Sequence, residues 1–103
     1  MSKKFVEAEI RDNKVVVFSK TYCPFCTMAK SALKDAGLEN YKLIELDEHS
    51  MGAQIQDILF EITGARTVPR VFIGGNCVGG GTEVKDLQNS GQLVTILKEC
   101  GAL

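Results

Sequence analysis

Cys23 and Cys26 lie in a Cys-Pro-Phe-Cys run and are the residues whose type and spacing most directly support chemistry. A helix signal starts beside them. Phe25, Met28, Ala29, Ala32, Leu33 and Ala36 recur at the i, i+3, i+4, i+7 spacing of one helical face. Pro24 suits the first turn, where its missing N–H is not needed, and Gly37 suits the carboxy-terminal cap. Cys23 therefore stands at a helix amino terminus, facing unpaired N–H groups and the positive end of the helix dipole. Both favour a thiolate, so the Cys23 pKa is predicted to lie below that of a free thiol, with Lys20 adding positive charge nearby. Cys26, one turn on, is placed to attack a disulfide formed at Cys23. A depressed pKa enlarges the thiolate fraction but weakens its nucleophilicity, with a Brønsted coefficient of about 0.4–0.5. The gain is then chiefly a better leaving sulfur, which favours turnover through a mixed disulfide.

Half of a structural zinc site is the first alternative for such a pair. Zinc normally takes four ligands, and only Cys77, Cys100 and His49 remain, singly and without paired spacing. No metal site is therefore assigned. Two inert core cysteines are the second alternative, opposed by Pro24, which marks a helix start and so exposes Cys23.

The elements that must hold this pair follow from patterning. Lys3 to Asn13 is weakly helical, with Phe5, Val6 and Ile10 inward. Val15-Val16-Val17-Phe18 is an unbroken apolar run, the pattern of a strand buried on both faces. A helix over 24–37 links it to a second strand, Tyr41 to Leu46, as a βαβ unit with parallel strands. Ile55, Ile58, Leu59 and Ile62 mark a further helix stopped by Gly64. Val71-Phe72-Ile73 and Cys77-Val78 form a hairpin around Gly74-Gly75-Asn76. Val84 and Leu87 mark a short helix after Gly79-Gly80-Gly81, and Leu93, Ile96, Leu97 and Cys100 a last helical stripe. The predicted order is α-β-α-β-α-β-β-α-α, an α/β fold with helices on both faces of a small mixed sheet.

Composition narrows the function classes. The 103 residues fit one domain, 1–103, and the net charge of −1 offers no reason to expect nucleic acid or an anionic membrane. No apolar run approaches the ~20 residues of a membrane span. The amino terminus lacks the apolar stretch of a signal peptide, so a cytoplasmic setting is the default expectation. Four cysteines do not make a disulfide framework, and in a reducing compartment a close pair reads as catalytic or metal-binding. Cys77 and Cys100 are expected to be structural, and His49 a solvated loop residue.

Lys20-Thr21-Tyr22-Cys23-Pro24-Phe25-Cys26 strongly resembles the active-site motif of dithiol glutaredoxins. The resemblance continues through Thr67-Val68-Pro69-Arg70-Val71-Phe72-Ile73 and Gly79-Gly80-Gly81-Thr82-Glu83, and covers essentially the whole chain. It implies a thioredoxin-like fold, a four-stranded mixed sheet of order 2-1-3-4 flanked by about five helices. It also implies an enzyme that reduces protein–glutathione mixed disulfides and protein disulfides, with Cys23 and Cys26 catalytic. Glutathione would be co-substrate, with no permanently bound cofactor and a monomeric state. Family positions for glutathione map onto Lys20, Pro24, Phe25, Gln56, Arg66, Thr67, Val68, Pro69, Gly81, Thr82 and Glu83. Lys20, Gln56 and Arg66 would face the glycine carboxylate, although each cation read alone is equally a solvated charge. Gly81 and Thr82 would offer N–H groups to the γ-glutamyl carboxylate, and Glu83 would meet its ammonium. In the family Pro69 follows a cis bond that lets the Val68 backbone pair with glutathione; from its residues alone Pro69 could equally start an edge strand.

Three positions depart from the family pattern: Phe25 for the commoner tyrosine, Gly81 where some members have cysteine, and Glu83 for aspartate. Two rivals stay open at this point. One is a thioredoxin-like protein reduced by a flavoprotein reductase, opposed by Lys20-Thr21-Tyr22 and the glycine run. The other is a carrier of a glutathione-ligated iron–sulfur cluster, opposed by Pro24.

Overall fold

Val15–Ser19 forms a strand, β1, in which all five residues are buried, and the rest of the chain is arranged around it. The computed structural model describes residues 2–103. The amino-terminal helix α1 (Ser2–Asp12) precedes β1, and α2 (Pro24–Asp35) follows it. Strand β2 (Lys42–Glu45) leads through a 3-10 turn at Leu46–Glu48 into α3 (Gly52–Thr63). The hairpin β3 (Arg70–Ile73) and β4 (Asn76–Gly79) comes next, then α4 (Gly81–Asn89) and α5 (Gln92–Glu99). The sheet order is β2-β1-β3-β4, with β1 parallel to β2 and antiparallel to β3. The mixed sheet of order 2-1-3-4 implied by the family resemblance is the one observed.

Alternation along β1 divides the core, because successive strand residues point to opposite faces. Val15 and Val17 pack with Val71, Ile73, Ala29, Leu33, Val84, Leu93 and Leu97, so α2, α4 and α5 cover one face. Val16 and Phe18 pack with Val6, Ile44, Ile55, Leu59 and Phe72, so α1 and α3 cover the other. Phe18 and Phe72 meet edge to face, with ring centroids 5.8 Å apart. The run of β-branched residues is apolar on both faces because both faces are covered.

Local expectations hold with five corrections. Strand β2 is shorter than Tyr41–Leu46, since Leu46 already belongs to the 3-10 turn. Helix α2 ends at Asp35, two residues before Gly37 takes up the left-handed conformation at φ 98°. Phe25 and Ile62 continue helical stripes in sequence but are 53% and 42% exposed. Each lies near a helix end. Cys77 is exposed on the edge strand β4, not buried, and is paired opposite Phe72. His49 is half-buried: its Nδ1 accepts the Met51 N–H at 3.0 Å and its ring lies 5.5 Å from that of Phe5.

One glycine is demanded by close approach. A Cβ on Gly52 would lie 2.0 Å from the Leu46 carbonyl oxygen, so α3 starts directly against the turn that precedes it. The atoms it would meet are all Leu46 backbone and cannot rotate away. Gly52→Ala is expected to cost ~2 kcal/mol, read as a fall in Tm of ~8–16 °C in a thermal melt.

Candidate active site

The parallel pairing of β1 with β2 brings their carboxyl ends to one edge of the molecule, and the turn after β1 carries Cys23. The Cys23 N–H donates to the Lys20 carbonyl at 3.3 Å, closing that turn. Cys23 is the N-cap of α2, with extended backbone (φ −91°, ψ 119°), and Pro24 occupies the first helical turn as the sequence predicts. Cys23 is half-buried, whereas Cys26 is fully buried. The Cys26 sulfur accepts the Lys20 N–H at 3.4 Å, and Ser19 beside it is itself fully buried.

The two thiols are driven apart in acidity. Burial pushes the Cys23 thiol up, but the Cys26 thiol, the N–H groups of Cys26 and Phe25, and the Lys20 ammonium outweigh it. The net displacement of Cys23 is downward. Burial also pushes Cys26 up, and there it prevails over the Ser19 hydroxyl and the Lys20 N–H, aided by the neighbouring Cys23. One sulfur is thus half-buried and prone to ionise, the other fully buried and held protonated. The Cys23 Sγ also lies 3.8 Å from the Val68 carbonyl oxygen, an acceptor for the thiol form.

Val68 belongs to the second wall of the site. The Val68–Pro69 peptide bond is cis, the geometry implied by the family resemblance. Phe25, Thr67, Val68, Pro69, Arg70, Gly80, Gly81, Thr82 and Glu83 line a cleft of about 250 Å³. Six of these were singled out in the sequence along with Phe25; Arg70 and Gly80 were not. A Cβ on Gly81 would lie 2.4 Å from the Phe25 carbonyl oxygen, so glycine lets α4 start this close to α2. The first N–H groups of α4 consequently open beside the first turn of α2.

Lys20, Gln56 and Arg66 lie outside this cleft. Gln56 Nε2 donates to the Arg66 carbonyl at 2.6 Å, and the Arg66 guanidinium pairs with Asp57 at 2.6 Å. The same guanidinium stacks over Phe60, 4.4 Å from the ring centroid. Glu83 is already engaged: its Oε1 accepts the Gly80 N–H at 2.6 Å and caps α4. One of its two carboxylate oxygens is thereby engaged within the protein. Asp47 was also missed as a site residue. Its carboxylate accepts both the N–H and the hydroxyl of Thr21, from a segment 26 residues away.

Comparison with known proteins agrees with this geometry. The Glutaredoxin family model matches residues 15–78. This chain is a member of the glutaredoxin family. A glutaredoxin of Ricinus communis is 51% identical over 94 residues, covering 91% of each chain. The mitochondrial glutaredoxin-2 of Pongo abelii is 45% identical over 95 residues, 92% of this chain. The chain spans 58% of the length of that relative. A buckwheat glutaredoxin–glutathione complex superposes with a TM-score of 0.94 at 44% identity, covering 100% of this chain and 93% of the other. The shared architecture is the thioredoxin-like fold. Among the described residues no helix is long and apolar enough to cross a membrane.

The opposed acidities make a direct prediction. Iodoacetamide should alkylate Cys23 with a pH profile whose inflection falls below the ordinary thiol value of about 8.5. Cys23 is deprotonated below that value, so its rate should persist as the pH is lowered, while native Cys26 stays unmodified. Peptide mapping by mass spectrometry after timed quenching separates the two.

Proposed function

We propose that this glutaredoxin is a glutathione-dependent thiol–disulfide oxidoreductase in which Cys23 attacks and Cys26 resolves. The observation that carries this reading is the asymmetry of the pair: Cys23 half-exposed at a helix start with a lowered pKa, Cys26 buried with a raised one. The site residues act as one glutaredoxin unit spanning 1–103, on glutathionylated and disulfide-containing proteins.

In the proposed reaction the Cys23 thiolate attacks the glutathione sulfur of a glutathionylated protein. A Cys23–glutathione disulfide forms, the protein–glutathione bond breaks, and the protein thiolate leaves and takes up a proton. A second glutathione thiolate then attacks the glutathione sulfur of that intermediate, and oxidised glutathione departs while Cys23 is restored as thiolate. A low Cys23 pKa serves this second step, because the departing sulfur is the better leaving group. With a protein disulfide, the Cys23 thiolate bonds to one protein sulfur and the other leaves as a thiol. Cys26 then gives up its proton and attacks Cys23, and the second protein sulfur leaves. Two glutathione molecules reduce the resulting Cys23–Cys26 disulfide and depart as oxidised glutathione. The raised pKa and burial of Cys26 keep it from competing while glutathione can finish the exchange.

The cleft supplies the recognition. Phe25 and Pro69 offer apolar walls, the backbone of Val68 can pair with an extended peptide, and the open N–H groups of Gly81 and Thr82 suit a carboxylate. Lys20 and Arg66, with Gln56, suit a second carboxylate at the far end, provided Arg66 exchanges Asp57 for it. Thr67 and Glu83 complete the lining. A reducing compartment with a glutathione pool is the setting this chemistry requires.

Cys23→Ser should abolish reduction of both substrate classes. Cys26→Ser should retain reduction of a glutathionylated peptide and lose reduction of a protein disulfide. Turnover coupled to glutathione reductase, followed by NADPH oxidation, measures both; substantial activity of Cys23→Ser on the glutathionylated peptide would overturn the assignment.

A further inference from the structure

The strand register leads from the sheet to a contact that neither the motif nor the reaction accounts for. In the parallel pair, Ser19 of β1 stands opposite Glu45 of β2. Two residues beyond each strand end, still in step, come Thr21 and Asp47. Asp47 Oδ1 accepts the Thr21 N–H at 3.0 Å, and Oδ2 accepts the Thr21 hydroxyl. One carboxylate thereby takes two donors of a single residue, in the turn that leads directly to Cys23.

The contact is exposed, but it is not a pairing of two long charged side chains, which in water contributes little. The Thr21 N–H lies in a turn, outside the sheet ladder and outside the helix. A carboxylate is a strong acceptor for it, and charge-assisted hydrogen bonds are about twice as strong as neutral ones. The same turn sets the position of Lys20, whose N–H reaches the Cys26 sulfur and whose ammonium favours the Cys23 thiolate. Asp47 itself is held below the usual carboxylate range, first by the Thr21 hydroxyl. It is therefore ionised, and its bonds intact, wherever thiol exchange runs.

We propose that Asp47 is a positioning residue: through Thr21 it holds the turn that sets Cys23 against the helix amino terminus and Lys20 beside it. It touches neither sulfur. The inference rests on the reading of Cys23 as the attacking thiolate, but its primary test does not depend on glutathione.

The sign of the effect distinguishes positioning from charge. Asp47 is an anion in the neighbourhood of Lys20 and Cys23. If it acted only by its field, its removal would ease ionisation of Cys23 and raise the alkylation rate at acid pH. If it positions the turn, Asp47→Ala should lower that rate by about threefold or more, equivalent to about half a pKa unit upward. Asp47→Asn loses the charge but keeps an acceptor for the Thr21 N–H, and should recover most of the wild-type profile. Thr21→Val, which removes only the hydroxyl donor, should move the profile in the same direction as Asp47→Ala by a smaller factor.

The experiment is the pH profile of iodoacetamide alkylation at Cys23 in the full chain, with a thermal melt of each variant. Deglutathionylation kinetics follow as a second readout, where kcat should fall more than KM rises. A lowered acid-pH rate in Asp47→Ala with recovery in Asp47→Asn supports the proposal. An unchanged or increased rate in a folded Asp47→Ala overturns it. Should Asp47→Ala fail to fold, Thr21→Val decides: a profile identical to wild type overturns the proposal. If the alkylation profiles shift as expected while the enzyme lacks glutathione-dependent turnover, the functional reading fails and the positioning role stands.

Discussion

Every residue of Val15–Ser19 is buried, and a strand covered on both faces leaves the chain one way out, over the carboxyl edge of the sheet. That constraint governs the chemistry. The turn at this edge has to reverse into α2, whose apolar face, Ala29, Ala32 and Leu33, must return onto the strand it has just left. Cys26 lies on that same returning face and is carried under cover, while Cys23, at the cap, stays at the rim. Two identical thiols three residues apart thus acquire different solvent, and different solvent gives them different acidity. The same edge gathers the turn after β2, the loop before β3 and the start of α4, because β1 runs parallel to β2 and antiparallel to β3, and β3 antiparallel to β4.

Much of this was legible in the sequence, since the signals were local. The β-branched run of β1, the helical period after Pro24 and the paired glycines of the hairpin each depend on neighbours within a few residues. Gly74 and Gly75 take φ of 59° and 84°, and glycine accepts those angles freely. The Cys-x-x-Cys and the glycine run could be assigned to their loops for the same reason. What failed was of a different kind. Periodicity says which side chains share a helical face, but not where the sheet beneath that face ends. Phe25 and Ile62 kept the period and are exposed near helix ends. Cys77 is apolar enough to read as core but sits on an edge strand, and strand order is a tertiary property.

Arg70, Gly80 and Asp47 were missed for one further reason. Their roles exist only between segments distant in sequence. Gly80 is crowded by Arg70, whose Nη2 would lie 2.7 Å from an added Cβ. Asp47 reaches Thr21 only because β1 and β2 run parallel in a fixed register. A one-residue slip of that register would turn every β2 side chain to the opposite face and carry Asp47 away from the turn. The signal for such a contact is the strand pairing itself, which the βαβ pattern implied but whose register it left open.

The glycine run shows how sequence, packing and chemistry meet in one constraint. Thiol exchange needs the second substrate to approach Cys23 in line with the disulfide, so the wall facing Cys23 must stand close without filling the approach. Gly81 lets α4 start against the Phe25 carbonyl, where any side chain would collide with backbone. Gly80 gives its N–H to Glu83, which ends the hairpin and begins the helix in the same step. The unsatisfied N–H groups that follow have no partner within the helix. Packing, not binding, accounts for the glycine here; the open helix start is the surface that this packing exposes. A side chain at position 81 would therefore move the helix and, with it, the wall against which an approaching disulfide is aligned, so fold stability and recognition cannot be varied independently at that residue.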